Sequence, residues 1–544
     1  VDGGRLRPEA RGNGDLAEEF DAIVVGAGLA GMYMLHRLRG LGMRAVVLEA
    51  GGDVGGTWYW NRYPGARCDV ESVQYSYQFD AKLQQEWTWT ERYAAQPEIL
   101  AYANHVADRF GLRCDIRFDT RVKAAVFDEA EARWELETEE GTCFRARWCV
   151  MALGCLSAAN LPDFEGRDSF EGPTYHTGHW PHEGVDLAGK RVAVIGTGSS
   201  AIQSIPILAS EASHLTVFQR TANYSIPAHN RPLPPDFVAA VKADYPELRA
   251  RARSMPSGID LDYRPLHALR TPEEERKAEF ERRWAHGGLS FLGCFADLLF
   301  KEEANRTAAD FVRAKIADIV DDPETVRLLA PTNIIGCKRL CVDTGYYATF
   351  NRPNVELVDV SERPIEAITP GGVRAHGREW PADAIVFATG FDAMTGALER
   401  IDIRGAGGRR LRDAWEEGPR TYLGLTVAGF PNLFTVTGPG SPSVLTNMLP
   451  SIEQHVDWIA DCLAAMNERG ARRMEAEPEA QDAWVEHASE TASLSLRSTC
   501  SSWYIGANVP GKPRVFMPYI GGLPAYIEKC DAVAAAGYEG FRIE

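Results

Sequence analysis

Two separated stretches of the chain carry the same local pattern, and that pattern leaves few folds open. An apolar run at residues 22–25 stops at Gly26-Ala27-Gly28-Leu29-Ala30-Gly31. A helical pattern follows through Met32, Leu35 and Leu38, and a second apolar run, 45–48, ends at Glu49. The order returns with 191–195, Gly196-Thr197-Gly198-Ser199-Ser200-Ala201, a helix to about Ala209, and the run 215–218. Strand, glycine turn, helix, strand is a βαβ unit whose strands lie parallel. The sequences downstream diverge, so these are two different domains and not a tandem repeat. The expected fold class is α/β, with two Rossmann-like dinucleotide-binding domains.

The two turns differ where a nucleotide is read. Gly26 permits a tight turn, Gly28 lets backbone N–H groups approach a pyrophosphate, and Gly31 lets the helix pack on its strand. Glu49, 23 residues after Gly26, can accept both ribose hydroxyls of an adenosine without a 2′-phosphate. The second turn offers Gly196, Gly198, Ser199 and Ser200, with Ala201 as its third small residue. Where the first unit ends in a carboxylate, this one ends in Arg220 and Thr221. A guanidinium suits a 2′-phosphate. The pair of sites therefore predicts FAD at the first and NADPH at the second. An apolar strand at 383–387, ending in Ala388-Thr389-Gly390, suits a return of the chain beside the flavin domain.

Composition narrows the class further. The chain has 544 residues, which at roughly 150 per domain suggests three or four domains. Its formal charge of −18 repels phosphate backbones and anionic lipid, so neither nucleic acid nor membrane is expected as a partner. No protein partner is evident either. Eleven cysteines are scattered with no CxxC pair, as in reduced thiols of a cytoplasmic protein. Cys337 and Cys341 are the closest pair, with no His in zinc-ligand spacing beside them, so no metal is expected. Residues 1–18 read as a flexible arm and not a signal peptide. The uncharged stretch 22–35 falls short of the ~20 apolar residues of a membrane helix. Charges at helical spacing over 272–286 and 304–321 predict a helical insertion at 227–334. The expected layout is a flavin domain at 19–154 and 385–544, and an NADP domain at 155–226 and 335–384.

Just before the second glycine turn stands Phe170-Glu171-Gly172-Pro173-Thr174-Tyr175-His176-Thr177-Gly178-His179-Trp180-Pro181. This F-x-G-x-x-x-H-T-x-x-W-P run resembles the fingerprint of type I Baeyer–Villiger monooxygenases, in which Phe170, Gly172, His176, Thr177 and Trp180 belong to a linker that couples the domains. The resemblance extends from about Glu19 onward. It includes the flavin-side loop 55–69, Gly336-Cys337-Lys338-Arg339-Leu340, and the run 502–512.

The resemblance implies a reaction in which NADPH reduces the flavin, O₂ is captured as a C4a-peroxyflavin, and a ketone gains one oxygen to become an ester or lactone. The substrates are then a small-molecule ketone and O₂. It implies Arg339 as the catalytic cation, held by Asp69; a permanent guanidinium suits the anionic oxygens of the peroxide and its ketone adduct. Thr57, Trp58, Asp69 and Tyr75 would line the flavin. Lys338 would join Arg220 and Thr221 at the NADP phosphate, and Trp503 would lie near the nicotinamide ribose. Ser443, Val444 and Met448 would shape the substrate pocket. Two rival readings stand beside this one. An N- or S-hydroxylating flavin monooxygenase shares both nucleotide folds, but its fingerprint usually has Ser after the His and ends in Tyr or Phe. A non-catalytic NADP(H) sensor would need neither Arg339 nor Asp69.

Overall fold

The computed structural model describes residues 17–544. The expected N-terminal arm lies outside them except for Ala17 and Glu18, and Glu18 already opens the first strand. Two parallel sheets organise the chain. In the first, β1 (Glu18–Val25) lies between β2 (Ala45–Leu48) and β6 (Cys143–Met151), parallel to both. The short β3 (Ile116–Arg117) extends this sheet beyond β2. On the other side β4 (Val122–Asp128) and β5 (Arg133–Thr138) form an antiparallel meander with β6. The chain returns near its end to add Asp402–Arg404 beside β4 and Leu433–Thr435 beside β6. Residues more than 250 positions apart in sequence thus share one sheet.

The second sheet holds β7 (Thr174–His176), β8 (Arg191–Ile195) and β9 (His214–Gln219), with Val355–Asp359 beyond β9. Ala384–Phe387 fills the place between β8 and β7. This corrects two sequence expectations. The strand ending in Ala388-Thr389-Gly390 belongs to the second sheet and does not lie beside the flavin unit, and the expected boundary at 384/385 cuts through it. The reason is visible at the glycine turns. Gly26 and Gly196 both have positive φ, +103° and +111°, and each faces a neighbouring strand end. A Cβ on Gly26 would meet the Ala152 carbonyl at 2.7 Å, and one on Gly196 would meet the Ala388 carbonyl at 2.5 Å. Ala388 therefore does for the second turn what Ala152 does for the first.

Within residues 227–334 stand the helices Pro235–Ser254, Glu273–His286, Glu302–Ile319 and Pro323–Leu329. Phe280, Phe291, Phe295, Ala308 and Val312 share a core with Val192, Val194 and Ile205 of the second βαβ unit. Burial of these apolar surfaces, at about 25 cal/mol per Å², seats the helical segment on the second sheet. The long C-terminal helix runs Met448–Glu468 and packs on the first glycine helix, Leu29–Gly40.

Candidate active site

The two glycine turns are built to receive anions. Gly28 and Gly198 sit at the N-caps of Leu29–Gly40 and Ser199–Glu211, and neither helix has a side-chain cap. Their first N–H groups, at the positive end of the helix dipole, are free to bind. A Cβ on Gly31 would lie 1.8 Å from the Gly26 carbonyl, so only glycine lets this helix start so close to its strand. Glu49 is buried and accepts N–H bonds from Ala27 at 2.6 Å and Gly51 at 2.7 Å. Burial raises its pKa, and those N–H groups partly offset the shift. Each of its oxygens keeps a lone pair for a hydroxyl. This donor and acceptor set fits a pyrophosphate followed by a ribose.

At the second turn the charge is reversed. Arg220 and Thr221 are exposed, and Lys338 is partly buried nearby. Burial lowers the Lys338 pKa, and the Arg220 charge lowers it further, so the two cations feel one another. Neither forms an ion pair with a described carboxylate. Two adjacent cations at the end of a βαβ unit fit a phosphate dianion on the nucleotide.

The fingerprint residues lie along the edge of this second sheet. A Cβ on Gly172 would lie 2.5 Å from the Asp383 carbonyl, which explains glycine there. The Gly178 N–H donates to His176 Nδ1 at 2.9 Å, so the imidazole proton sits on Nε2, 3.3 Å from Thr389 Oγ1. Burial pushes the His176 pKa down to about 4, which keeps the ring neutral. The Thr177 hydroxyl meets Ser200 Oγ at 3.1 Å at the start of the second glycine helix. Trp180 is buried in the core of that unit, and Phe170 packs on the outer side of its sheet. These five residues brace the second unit and do not converge on Arg339.

Asp69 and Arg339 come together across 270 positions of sequence. Arg339 Nη2 donates to Asp69 Oδ1 at 2.8 Å and Nε donates to Oδ2, a bidentate pair. Nη1 donates to the Val444 carbonyl at 2.8 Å. Three of the five guanidinium N–H groups are used and two remain free. Burial pulls the Arg339 pKa down, but the Asp69 carboxylate outweighs it and raises the pKa, so the cation is permanent.

Two local devices set this pair in place. The small parallel ladder of Ser225–Pro227 with Cys341–Asp343 anchors the chain just after Arg339. The loop before Asp69 docks on the second glycine helix: Tyr63 OH donates to Gln203 Oε1 at 2.8 Å, and Gln203 Nε2 donates to the Arg67 carbonyl at 3.0 Å. The flavin-side loop and the second nucleotide helix therefore meet at the Asp69–Arg339 pair.

Around it lies an apolar shell. Val444 and Tyr504 are buried with Cys155, Met394 and Met517, and Met448 and Trp503 pack against them. Ser443 is buried, and its hydroxyl pairs with Ser441. Trp58 Nε1 donates to Tyr75 OH at 3.1 Å, while Thr57 faces solvent. Trp503 lies 4.2 Å, ring to ring, from Tyr504. Sequence reasoning missed Tyr63, Gln203 and Tyr504. Tyr504 adjoins Trp503 and was within reach of the matched run 502–512; Gln203 carries no sequence signal. On the far side of Asp69 a cavity of about 230 Å³ extends under the helical segment, lined by Ile259, Leu261 and Leu289 with Glu71, Gln74 and Arg283.

A family profile described as pyridine nucleotide-disulphide oxidoreductase matches residues 23–244. A protein of Pseudooceanicola batsensis named Baeyer-Villiger monooxygenase is 43% identical over 526 residues, covering 96% of this chain and 95% of its own. The chain belongs to the Baeyer–Villiger monooxygenases. As a member it is a flavoprotein monooxygenase dependent on NADPH. A solved structure of oxidized steroid monooxygenase bound to NADP superposes with a TM-score of 0.92 at 53% identity, over 96% of this chain and 99% of that one. The phenazine N-monooxygenase PhzNO1 of Lysobacter antibioticus is also 43% identical, over 96% of both chains.

Proposed function

We propose that the chain uses NADPH and O₂ to insert one oxygen beside the carbonyl of a bulky, largely apolar ketone, giving an ester or lactone. The observation that carries this reading is the Asp69–Arg339 pair at the meeting point of both nucleotide turns, inside an apolar shell. FAD bound at the first turn would pass the reducing equivalents of NADPH to O₂ and so activate it for attack on the carbonyl. Arg339 holds its two unused N–H groups toward the oxygen that becomes anionic when the carbonyl is attacked. A lysine would be a weaker choice, since its pKa drops readily on burial, whereas the guanidinium stays charged. Asp69 fixes the plane of that guanidinium through two parallel bonds, and the Val444 carbonyl fixes its third edge. Val444, Met448 and Met394 set the width of the pocket. Arg220, Thr221 and Lys338 hold the 2′-phosphate, and Trp503 borders the nicotinamide end.

Bulk is supported by the cavity beside Asp69 and by the likeness to a steroid monooxygenase. The test is a panel of cyclic, aromatic and steroidal ketones with NADPH, following product mass for one added oxygen. Products from small acyclic ketones alone would refute the size assignment. A second reading, oxygenation of an aromatic ring nitrogen, is favoured by the likeness to a phenazine N-monooxygenase. Turnover of phenazines with no ketone oxidation would establish it. All eleven cysteines are free thiols, which supports a cytoplasmic location. Among the described residues no helix is long and apolar enough to cross a membrane.

A further inference from the structure

The cavity beside Asp69 holds two polar atoms that nothing else in the fold uses. Tyr93 lines it and is only 2% exposed. Its main chain is fixed on both sides, the N–H donating to Asn230 Oδ1 at 2.9 Å and the carbonyl accepting from Arg67. Its ring packs on Leu289, and its hydroxyl stands against Gly288, where a Cβ would meet the oxygen at 2.0 Å. Among the described residues that hydroxyl makes no hydrogen bond. Glu71 lines the same cavity; its Oε1 accepts from Arg92 Nε at 2.8 Å and Nη2 at 2.6 Å, which leaves Oε2 over. The guanidinium that holds Glu71 also lies over the Tyr93 ring, 5.1 Å from its centre, so both groups share one corner. We propose that this cavity takes the end of the ketone remote from its carbonyl, and that Tyr93 and Glu71 together bind a hydroxyl carried there. What stands at the near end rests on the function proposed above.

The neighbouring polar groups of the lining are already engaged. Gln74 exchanges both amide atoms with the Asp260 main chain, Nε2 donating to the carbonyl at 3.2 Å and Oε1 accepting from the N–H at 2.7 Å. Arg283 is held by Glu279, the Ser290 carbonyl and Asp262. Asp69 is bound to Arg339, and so joins the cavity to the reacting end. Burial, and then the Glu71 charge, raise the Tyr93 pKa, so the phenol keeps its proton to donate. The Glu71 carboxylate can only accept. A hydroxyl meets both, donating to Glu71 Oε2 and accepting from Tyr93. A second carbonyl only accepts and would set its lone pairs against Glu71. A carboxylate would set a charge there, and the Arg92 N–H groups are taken by Glu71, His286 and the Ala228 carbonyl. An ammonium only donates and leaves the Tyr93 proton unused. Val70, Ile259, Leu261 and Leu289 supply apolar walls. At ~30 Å³ per water-sized group, the 230 Å³ cavity holds about eight non-hydrogen atoms, a ring with its substituent.

The test titrates the holoenzyme, loaded with FAD and NADP⁺, with phenylalkyl methyl ketones in a calorimeter. Spacers of one to three methylenes separate ring from carbonyl, and each ketone is paired with its para-hydroxylated analogue. At the spacer that binds most tightly, the hydroxylated member should have a Kd about 3- to 10-fold below its parent, the value of a net hydrogen bond. In Tyr93→Phe the ratio within that pair should collapse to about one. Because the hydroxyl has no partner in the fold, this variant should melt with the parent protein; a clear fall in melting temperature would show that the fold already uses the hydroxyl, and would overturn the proposal. So would a hydroxyl preference absent at every spacer, or one that survives Tyr93→Phe. Oxygenation of the same ketones is followed separately with NADPH and O₂. Esters formed throughout with no hydroxyl preference would overturn the pocket assignment and leave the oxygenation reading standing. A Tyr93-dependent preference with no ester formed would support the pocket and overturn that reading.

Discussion

Replacing Glu453 by glutamine should make the protein more stable at pH 8 while changing it far less at pH 5. Glu453 lies on the helix Met448–Glu468, one turn beyond Met448, and is 3% exposed. Its Oε1 accepts from Gln78 N at 2.7 Å and Phe79 N at 2.9 Å, while Oε2 is buried without a hydrogen-bond partner. Burial raises its pKa from 4.5 to about 7, against the opposing pull of those two N–H groups and Arg249. A carboxyl with a raised folded pKa keeps its proton where the unfolded chain has lost it. Its destabilising effect is therefore absent below pH 4.5, grows through the interval to about 7, and is constant above. At ~1.4 kcal/mol per pKa unit, the difference accumulated between pH 5 and pH 8 is about 2.5 kcal/mol. Glutamine keeps the oxygen acceptor and removes the titration. Calorimetric melts at both pH values should show the E453Q-minus-parent difference growing in favour of the variant by about 5 °C between pH 5 and pH 8. A difference that stays constant, or grows in favour of the parent, would refute the assignment of a buried neutral Glu453.

Arg220→Ala should raise the KM for NADPH by about 10- to 100-fold, the value of a lost charge-assisted bond of roughly 1.5–3 kcal/mol, with little change for NADH. Equal effects on both nucleotides in steady-state assays would deny it a phosphate role. Gly31→Ala should yield protein that no longer retains flavin, because the new Cβ meets the Gly26 carbonyl at 1.8 Å; a normal flavin absorbance spectrum after desalting would contradict this.

Much of the architecture was legible because it is local. Each βαβ unit lies within about 30 consecutive residues, and Gly31 is dictated by the Gly26 carbonyl five residues before it, although Gly26 and Gly196 answer to the distant Ala152 and Ala388. The meander β4–β6 was missed: β4 alternates buried with mostly exposed positions and β5 buried with half-buried charged ones, so no continuous apolar run marks them. The strand Ala384–Phe387 was recognised as a strand but misassigned, since its sheet is fixed by pairing with β8, 192 residues earlier. The Asp69–Arg339 pair lies beyond any local pattern; family resemblance singled out both residues, and only the folded chain shows what they share. Gln203, which ties the flavin-side loop to the second glycine helix, looks like any polar helix residue until Tyr63 and Arg67 are seen against it.

The central claim is that Arg339 acts on the attacked carbonyl and not on nucleotide binding. Rapid-mixing measurement of Arg339→Ala separates the two. The account predicts flavin reduction by NADPH close to the parent's rate, with ester or lactone formation abolished. Near-normal product from that variant would contradict it.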